Sequence, residues 1–155
     1  MRTFRFDKLV RDKILSGMEE DGTIAVWRKL NDDEFAVEVA KKLEEELDEL
    51  DENVGQNRDR DLKELADVAE VYELAYKILD HDEHYDILEA AMEELEKGID
   101  MWEIDPDELL EAKAKKIDKF GAYKNRIYIE AVKVKEDNPW MQRYLASPDK
   151  YPEVK

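Results

Sequence analysis

The chain has 155 residues, of which 43% are hydrophobic and 43% are charged, with 5 Gly, 4 Pro and no Cys. This composition excludes a disordered or collagen-like chain, a disulfide framework and a zinc-thiolate site. The 42 Asp and Glu against 25 Lys and Arg give a net charge of −17, which repels nucleic acid and anionic membranes.

Cellular location and domain number are bounded by the same numbers. No apolar run approaches the roughly 20 residues of a membrane span, and the basic and acidic residues of the first 13 positions exclude a signal peptide there. We therefore expect a cytoplasmic protein that binds neither a nucleic-acid polymer nor a membrane. The length fits one domain over residues 1–155 with a substantial core.

Two strands and a long helix are predicted in the first third of the chain. Residues 3–10 alternate loosely between apolar and polar types, and residues 23–27 are β-branched and aromatic after a turn at Asp21 and Gly22. Polar residues at 31–34 then begin a helix with apolar side chains at helical spacing. We expect this helix to end near Gly55, before a turn over residues 56–59.

Three further helices follow in the predicted order. The second long helix carries apolar residues from Leu62 to Leu79 on one face. The third spans residues 83–97, with Gly98 as its C-terminal cap. The fourth begins at Asp105-Pro106, an N-cap and a proline in the first turn, and stops near residue 121.

The last part of the chain predicts an edge strand and an irregular arm. Residues 126–134 alternate as a strand that pairs with the amino-terminal strands. Residues from about 136 to 155 hold three of the four prolines and form the arm. The predicted fold is therefore mainly α, an antiparallel helical bundle with short peripheral β-strands.

Acidic residues on the first long helix fall into two groups. On a helix of 100° per residue, Glu44 and Asp48 point away from the leucine stripe. Glu46 and Glu49 border the stripe instead and are neighbours at a spacing of three residues. Runs of glutamate on helices are usually solvated faces, so the position of the last two residues is the informative feature.

The second long helix repeats the pattern with Glu64 and Asp67. The line through these two acids continues into Val71, Leu74 and Ile78, so they occupy positions that become apolar in later turns. A buried carboxylate without a partner costs several kcal/mol or becomes protonated. These two acids therefore need a partner.

Folding the two helices back about their turn makes these acidic pairs face each other. Position 46 comes level with 67, and 49 with 64, at roughly 10–13 Å from the turn. No basic residue lies on the intervening seam to neutralise them. Oxygen-only clusters of this kind suit Mg²⁺ or Mn²⁺, so the spacing predicts a divalent-cation site rather than two solvated acidic patches.

Several short sequence motifs resemble those of one protein family. Glu45-Glu46-Leu47-Asp48-Glu49, a gap of 14 residues and Glu64-Leu65-Ala66-Asp67 resemble the EExxE…ExxD signature of the all-α nucleotide pyrophosphohydrolases, the superfamily of MazG and phosphoribosyl-ATP pyrophosphohydrolase-like proteins. Residues 8–14 (KLVRDKI) are similar to the family's opening, residues 64–71 (ELADVAEV) to its second metal helix, and Gly121-Ala122-Tyr123 with Arg126-Ile127 to its closing segment. The resemblance covers about residues 4–130. Leu15-Ser16-Gly17 departs from it, and a helix of about residues 84–101 has the place of an insert.

The resemblance implies a Mg²⁺-dependent hydrolase, with Mn²⁺ as a possible substitute, that cleaves a canonical, deoxy or non-canonical nucleoside triphosphate to the monophosphate and pyrophosphate. It implies Glu46, Glu49, Glu64 and Asp67 as metal ligands and catalytic residues, with Glu45 as a further ligand or a water-orienting base. Six cations are candidate contacts for the substrate phosphates: Lys8, Arg11, Lys13, Lys113, Lys116 and Arg126. Because a two-helix site on a short chain leaves an open flank, we expect a homodimer or higher homo-oligomer.

Two alternatives stay open. The same site chemistry fits phosphoribosyl-ATP, the substrate of a pyrophosphohydrolase of histidine biosynthesis. A non-catalytic acidic helical protein that binds a partner, or uses metal only for stability, has the same composition. The presence of all four carboxylates on the seam speaks against this second alternative. For the candidate phosphate-binding cations, ordinary surface ion pairing is the alternative role.

Overall fold

The computed structural model describes the backbone of residues 1–155 and the side chains of all of them except Asn53. Over the residues described, 57% of the chain is helical, with six helices and one four-stranded antiparallel sheet. The mainly α fold class is thereby confirmed, whereas the antiparallel bundle stays a prediction. No described helix combines the length and apolar character needed to cross a membrane.

The elements in chain order are β1 (Arg2–Val10), α1 (Ile14–Glu20), β2 (Ile24–Lys29), α2 (Asp32–Asn53), α3 (Arg58–Ile78), α4 (Tyr85–Trp102), α5 (Pro106–Phe120), β3 (Ile127–Val134), α6 (Met141–Ala146) and β4 (Glu153–Val154). They divide into two compact units. Unit 1 comprises Met1–Asn31 and Lys119–Lys155, and unit 2 comprises Asp32–Asp118. The single domain over residues 1–155 stays a prediction beside this division.

Unit 1 is built on the antiparallel sheet, in the strand order β2-β3-β1-β4. The third strand pairs with β1 from Arg2↔Val134 to Val10↔Ile127, and with β2 along its other edge. The segment 126–134 is therefore an interior strand, and the predicted edge position was wrong. The strand β3 carries several buried apolar side chains. Such side chains favour a position in the middle of the sheet, with a strand on each side.

The carboxyl-terminal segment is more regular than predicted. Residues 136–155 contain α6 and β4, and β4 pairs with β1. Met141, Tyr144 and Tyr151 of this segment are buried in the core of unit 1, where the ring of Tyr144 stacks on Phe4 with centroids 5.2 Å apart. Burial of these large side chains stabilises a segment whose prolines had predicted an irregular arm.

Unit 2 holds the long helices and their apolar stripes. Helix α2 packs against α3, and α3 against α4. Five residues of the predicted stripe of α2 are buried, namely Phe35, Val39, Leu43, Leu47 and Leu50. The sixth, Val54, is half-buried and follows the end of the helix. The helical periodicity thus identifies the buried face of α2.

Gly98 does not cap α4 as predicted, because the helix continues to Trp102. A Cβ atom at position 98 would lie 2.6 Å from Leu65 Cδ2. Glycine avoids this overlap where α4 packs closely on α3, at a position where it costs helix propensity. The helix ends instead at Glu103, which adopts a left-handed conformation with φ 48°.

Acidic residues are concentrated in unit 2. It contains 32 of the 42 Asp and Glu of the chain but 10 of the 25 Lys and Arg. Unit 1 has the remaining charges, with more basic than acidic side chains. Because like charges repel within unit 2, each cation placed beside a buried acid there has a large electrostatic effect.

A buried carboxylate fixes the turn between α2 and α3. Asp61 is 0% exposed, and its Oδ2 accepts hydrogen bonds of 2.7 Å from the Gly55 N–H and from Trp102 Nε1. Gly55 has φ 90°, a conformation that glycine adopts without steric cost. The Asn57 side chain caps α3 by accepting a hydrogen bond from the Arg60 N–H. These contacts hold the two helices in one register.

Replacing Asp61 by alanine removes the acceptor of two part-buried hydrogen bonds. We expect Asp61→Ala to lower the free energy of unfolding by about 2–4 kcal/mol, because both donors then lack a partner. Chemical denaturation measures this loss. Asp59→Ala, at an exposed acid in the same first turn, is the control with an expected loss of about 0.5 kcal/mol. Equal losses in the two variants would contradict the role given to Asp61.

Candidate metal centre

Three of the four predicted metal ligands converge where α2 packs against α3. One carboxylate oxygen from each of Glu46, Glu49 and Glu64 lies within 4.8 Å of the other two. Oxygens that share one cation at 2.0–2.6 Å lie up to about 5 Å apart. The spacing of the three oxygens therefore fits a single oxygen-ligated divalent ion.

Two oxygens of this cluster are buried without a hydrogen bond. Glu46 is 6% exposed, and its Oε2 has no partner among the described residues. Glu64 Oε2 is also buried and has no hydrogen-bond partner among the described residues. Nearly all buried polar atoms in proteins are satisfied, and those that are not need an explanation such as an ion. A divalent cation satisfies both oxygens at once.

Burial and mutual repulsion raise the pKa of two of the glutamates. Burial is the main cause of the rise in the pKa of Glu46 to about 7; Lys42 opposes the rise, and the carboxylates of Asp67, Glu49 and Glu45 add to it. The pKa of Glu64 is also raised, first by burial and then by Glu49 and Asp67. The cluster therefore carries excess negative charge that a cation relieves.

Asp67 is close to this cluster but has a cationic partner of its own. Its carboxylate raises the pKa of both Glu46 and Glu64, which places it beside them. Lys116 Nζ of α5 lies 3.1 Å from Asp67 Oδ2. The fourth predicted ligand is thus paired with a residue that the sequence predicts as a phosphate contact.

Glu45 lies at the border of the cluster, with its side chain 27% exposed. Lys42 reaches both Glu45, at 3.9 Å, and Glu46 Oε1, at 3.5 Å. Sequence reasoning missed Lys42, although its spacing of four residues from Glu46 is that of a helical ion pair. This lysine engages one oxygen of Glu46, and the unpartnered oxygen is the other one.

Arg60 corrects the prediction that no basic residue lies on the seam. Its guanidinium donates to the Glu49 backbone carbonyl at 3.4 Å. It also lowers the pKa of Glu64. The spacing of one helical turn between positions 60 and 64 was the signal for this contact. The carboxylates keep their raised pKa values in its presence.

The outward-facing acids of α2 behave as predicted. Glu44 and Asp48 are exposed, whereas Glu46 is buried and Glu49 is half-buried. The helical angles computed from the sequence therefore separate the two groups correctly. Glu44 has the same chemistry as the cluster glutamates without their environment, which makes it the matched control.

Two of the remaining predicted phosphate contacts, Lys113 and Arg11, have structural partners within their own units. In unit 2, Lys113 Nζ pairs with Glu73 at 2.6 Å. In unit 1, Arg11 is buried, donates to the Gly121 carbonyl at 3.0 Å and lies over the Tyr123 ring. Arg11 therefore contributes to the packing of unit 1.

The other three cations also belong to unit 1. Lys8 lies over the Tyr151 ring at 5.7 Å. The backbone N–H of Lys13 donates to the Phe120 carbonyl at 2.9 Å. Arg126 has φ 54° just before β3. Their predicted contact with substrate stays a prediction.

Comparisons of the chain with protein-family models, with curated proteins and with solved structures find no match. The family resemblance of the EExxE…ExxD run accordingly stays a prediction.

The raised pKa of Glu46 makes the stability of the metal-free chain depend on pH. Its folded-state pKa of about 7 lies above the usual 4.5, so the free energy of unfolding falls as pH rises from about 4.5 to about 7. In the presence of a chelator we expect Glu46→Gln to be more stable than the parent at about pH 8, by about 2–3 kcal/mol. The difference shrinks as the pH falls toward about 4.5, where the carboxyl of Glu46 is protonated in the folded state and half protonated in the unfolded state.

Denaturation curves over this pH range provide the measurement. Glu44→Gln changes an exposed acid on the same helix, and we expect it to keep the parent's pH profile. A parent profile unchanged by Glu46→Gln would show that the buried carboxylate does not cause the pH dependence.

Proposed function

We propose that this chain is a divalent-cation-dependent nucleotide pyrophosphohydrolase that cleaves a nucleoside triphosphate to the monophosphate and pyrophosphate. The observation that carries the proposal is the pair of buried, unpartnered oxygens of Glu46 and Glu64, within a cluster of three glutamates spaced for one ion. Carboxylate oxygens alone favour Mg²⁺ or Mn²⁺ over softer metals.

The charge of unit 2 makes a metal necessary for this reaction. A triphosphate approaching a unit with 32 acidic and 10 basic side chains meets a repulsive field. A divalent ion bound by the glutamates supplies local positive charge for the phosphate chain and a water of lowered pKa. Binding and activity should therefore both require the metal.

The protein side chains have separate tasks in the proposed reaction. Glu46, Glu49 and Glu64 would hold the ion. Glu45 lies beside Glu46 and is partly exposed, so it orients the attacking water and accepts its proton. The water oxygen forms a bond to the α-phosphorus as the bond to the pyrophosphate leaving group breaks. This requires no histidine or serine nucleophile.

The test is release of pyrophosphate from a panel of canonical, deoxy and modified triphosphates and phosphoribosyl-ATP, with Mg²⁺ or Mn²⁺. We expect metal-dependent release by the parent and a loss of about 100-fold or more in Glu49→Gln, because removing a carboxylate ligand weakens the ion. Glu44→Gln is the matched control and should retain the parent's rate. Circular dichroism of each variant confirms that the fold is intact.

The outcomes separate the alternatives. Release that is specific to phosphoribosyl-ATP would favour the enzyme of histidine biosynthesis. Binding of Mn²⁺ with no release from any substrate would favour the non-catalytic, partner-binding alternative. Equal rates in Glu49→Gln and Glu44→Gln would contradict the assignment of the site to the glutamate cluster.

A further inference from the structure

The four carboxylates at the α2–α3 contact divide into two groups by their partners. Glu46, Glu49 and Glu64 present oxygens within 4.8 Å of one another, and two of these residues have unpartnered buried oxygens. Asp67 is instead bound to the ammonium group of Lys116, at 3.1 Å. The cluster therefore already contains one positive charge at its fourth carboxylate.

This position matters because clusters of four acids often hold two ions. In two-metal sites the ions lie about 3.5–4 Å apart, and each needs its own share of the carboxylates. Here the Asp67 side chain is 12% exposed and is engaged by a lysine whose own side chain is 34% exposed. A second ion at Asp67 would have to displace this ammonium or share the carboxylate with it, against like-charge repulsion.

We propose that the Lys116 ammonium occupies the second cation position of the four-carboxylate cluster, so that the site binds one divalent ion rather than two. This inference rests on the proposed function, because it concerns the number of divalent ions in the proposed hydrolase site. The three glutamates are then the ligands of the ion, and Asp67 positions the ammonium group of Lys116.

The pKa of Glu46 is consistent with one ion at the glutamates and an ammonium group at Asp67. With Lys42 and Lys116 in place, Glu46 keeps a pKa raised to about 7 by burial and neighbouring carboxylates. The spacing of the three glutamate oxygens, within 4.8 Å of one another, is that of one ion. An ammonium group also differs from a metal ion in that it is covalently attached to the chain, so its positive charge stays near the cluster whatever the metal concentration.

The experiment counts bound Mn²⁺ per chain in the absence of nucleotide, by calorimetry and by electron paramagnetic resonance. Ions that remain bound to Glu49→Gln are surface ions and are subtracted. We expect one site ion in the parent and two in Lys116→Met, because the variant removes the positive charge that competes with a second ion at Asp67. Lys116→Arg, which keeps the charge, should again bind one.

Lys113→Met is the matched control, since Lys113 lies on the same helix and pairs with Glu73 outside the cluster. It should bind one ion, like the parent. Two site ions in the parent, or one in a folded Lys116→Met, would overturn the inference and leave the proposed hydrolase standing. No site ion in the parent would overturn both.

Discussion

The desolvation and mutual repulsion of carboxylates between α2 and α3 are the constraint on which this structure depends. Glu46 is buried beside other acids in a unit that is already rich in negative charge. Without a cation, this arrangement lowers stability by a few kcal/mol, a large share of the 5–15 kcal/mol typical of a folded protein. The leucine stripe of α2 and the buried Leu65 and Val68 of α3 offset the cost through apolar burial.

The hydrogen bonds to Asp61 at the α2–α3 turn fix the positions of the carboxylates. Asp61 joins Gly55 at the end of the turn to Trp102 at the end of α4, so one carboxylate fixes three segments. A slip of α3 by one residue would rotate Glu64 by 100° and remove it from the cluster. Asp61 and Glu64 are three residues apart on α3. The hydrogen bonds of the buried Asp61 therefore also fix the position of Glu64 in the cluster.

Local periodicity predicts much of this structure, and its failures have physical causes. It identifies α2 and α3, the buried face of α2 and the convergence of Glu46, Glu49 and Glu64. On α3 it is only partly right, because Tyr76 of the predicted face is exposed. It misplaces the end of α4 at Gly98, because the need for glycine arises from contact with Leu65 on another helix. The pairing of Lys116 with Asp67 joins residues 49 positions apart, and no helical spacing encodes such a contact.

The same charges also limit the substrate. In the proposed function, an ion held by the three glutamates would present positive charge to the phosphates only at short range, because at about 0.15 M salt the interactions of exposed charges fade within about 8 Å. A phosphate chain of two or three groups fits within that distance, whereas a polymer with a charge every few ångströms extends beyond it into the acidic surface of unit 2. The concentration of acids that makes the site dependent on metal thus also restricts the proposed substrate to a mononucleotide.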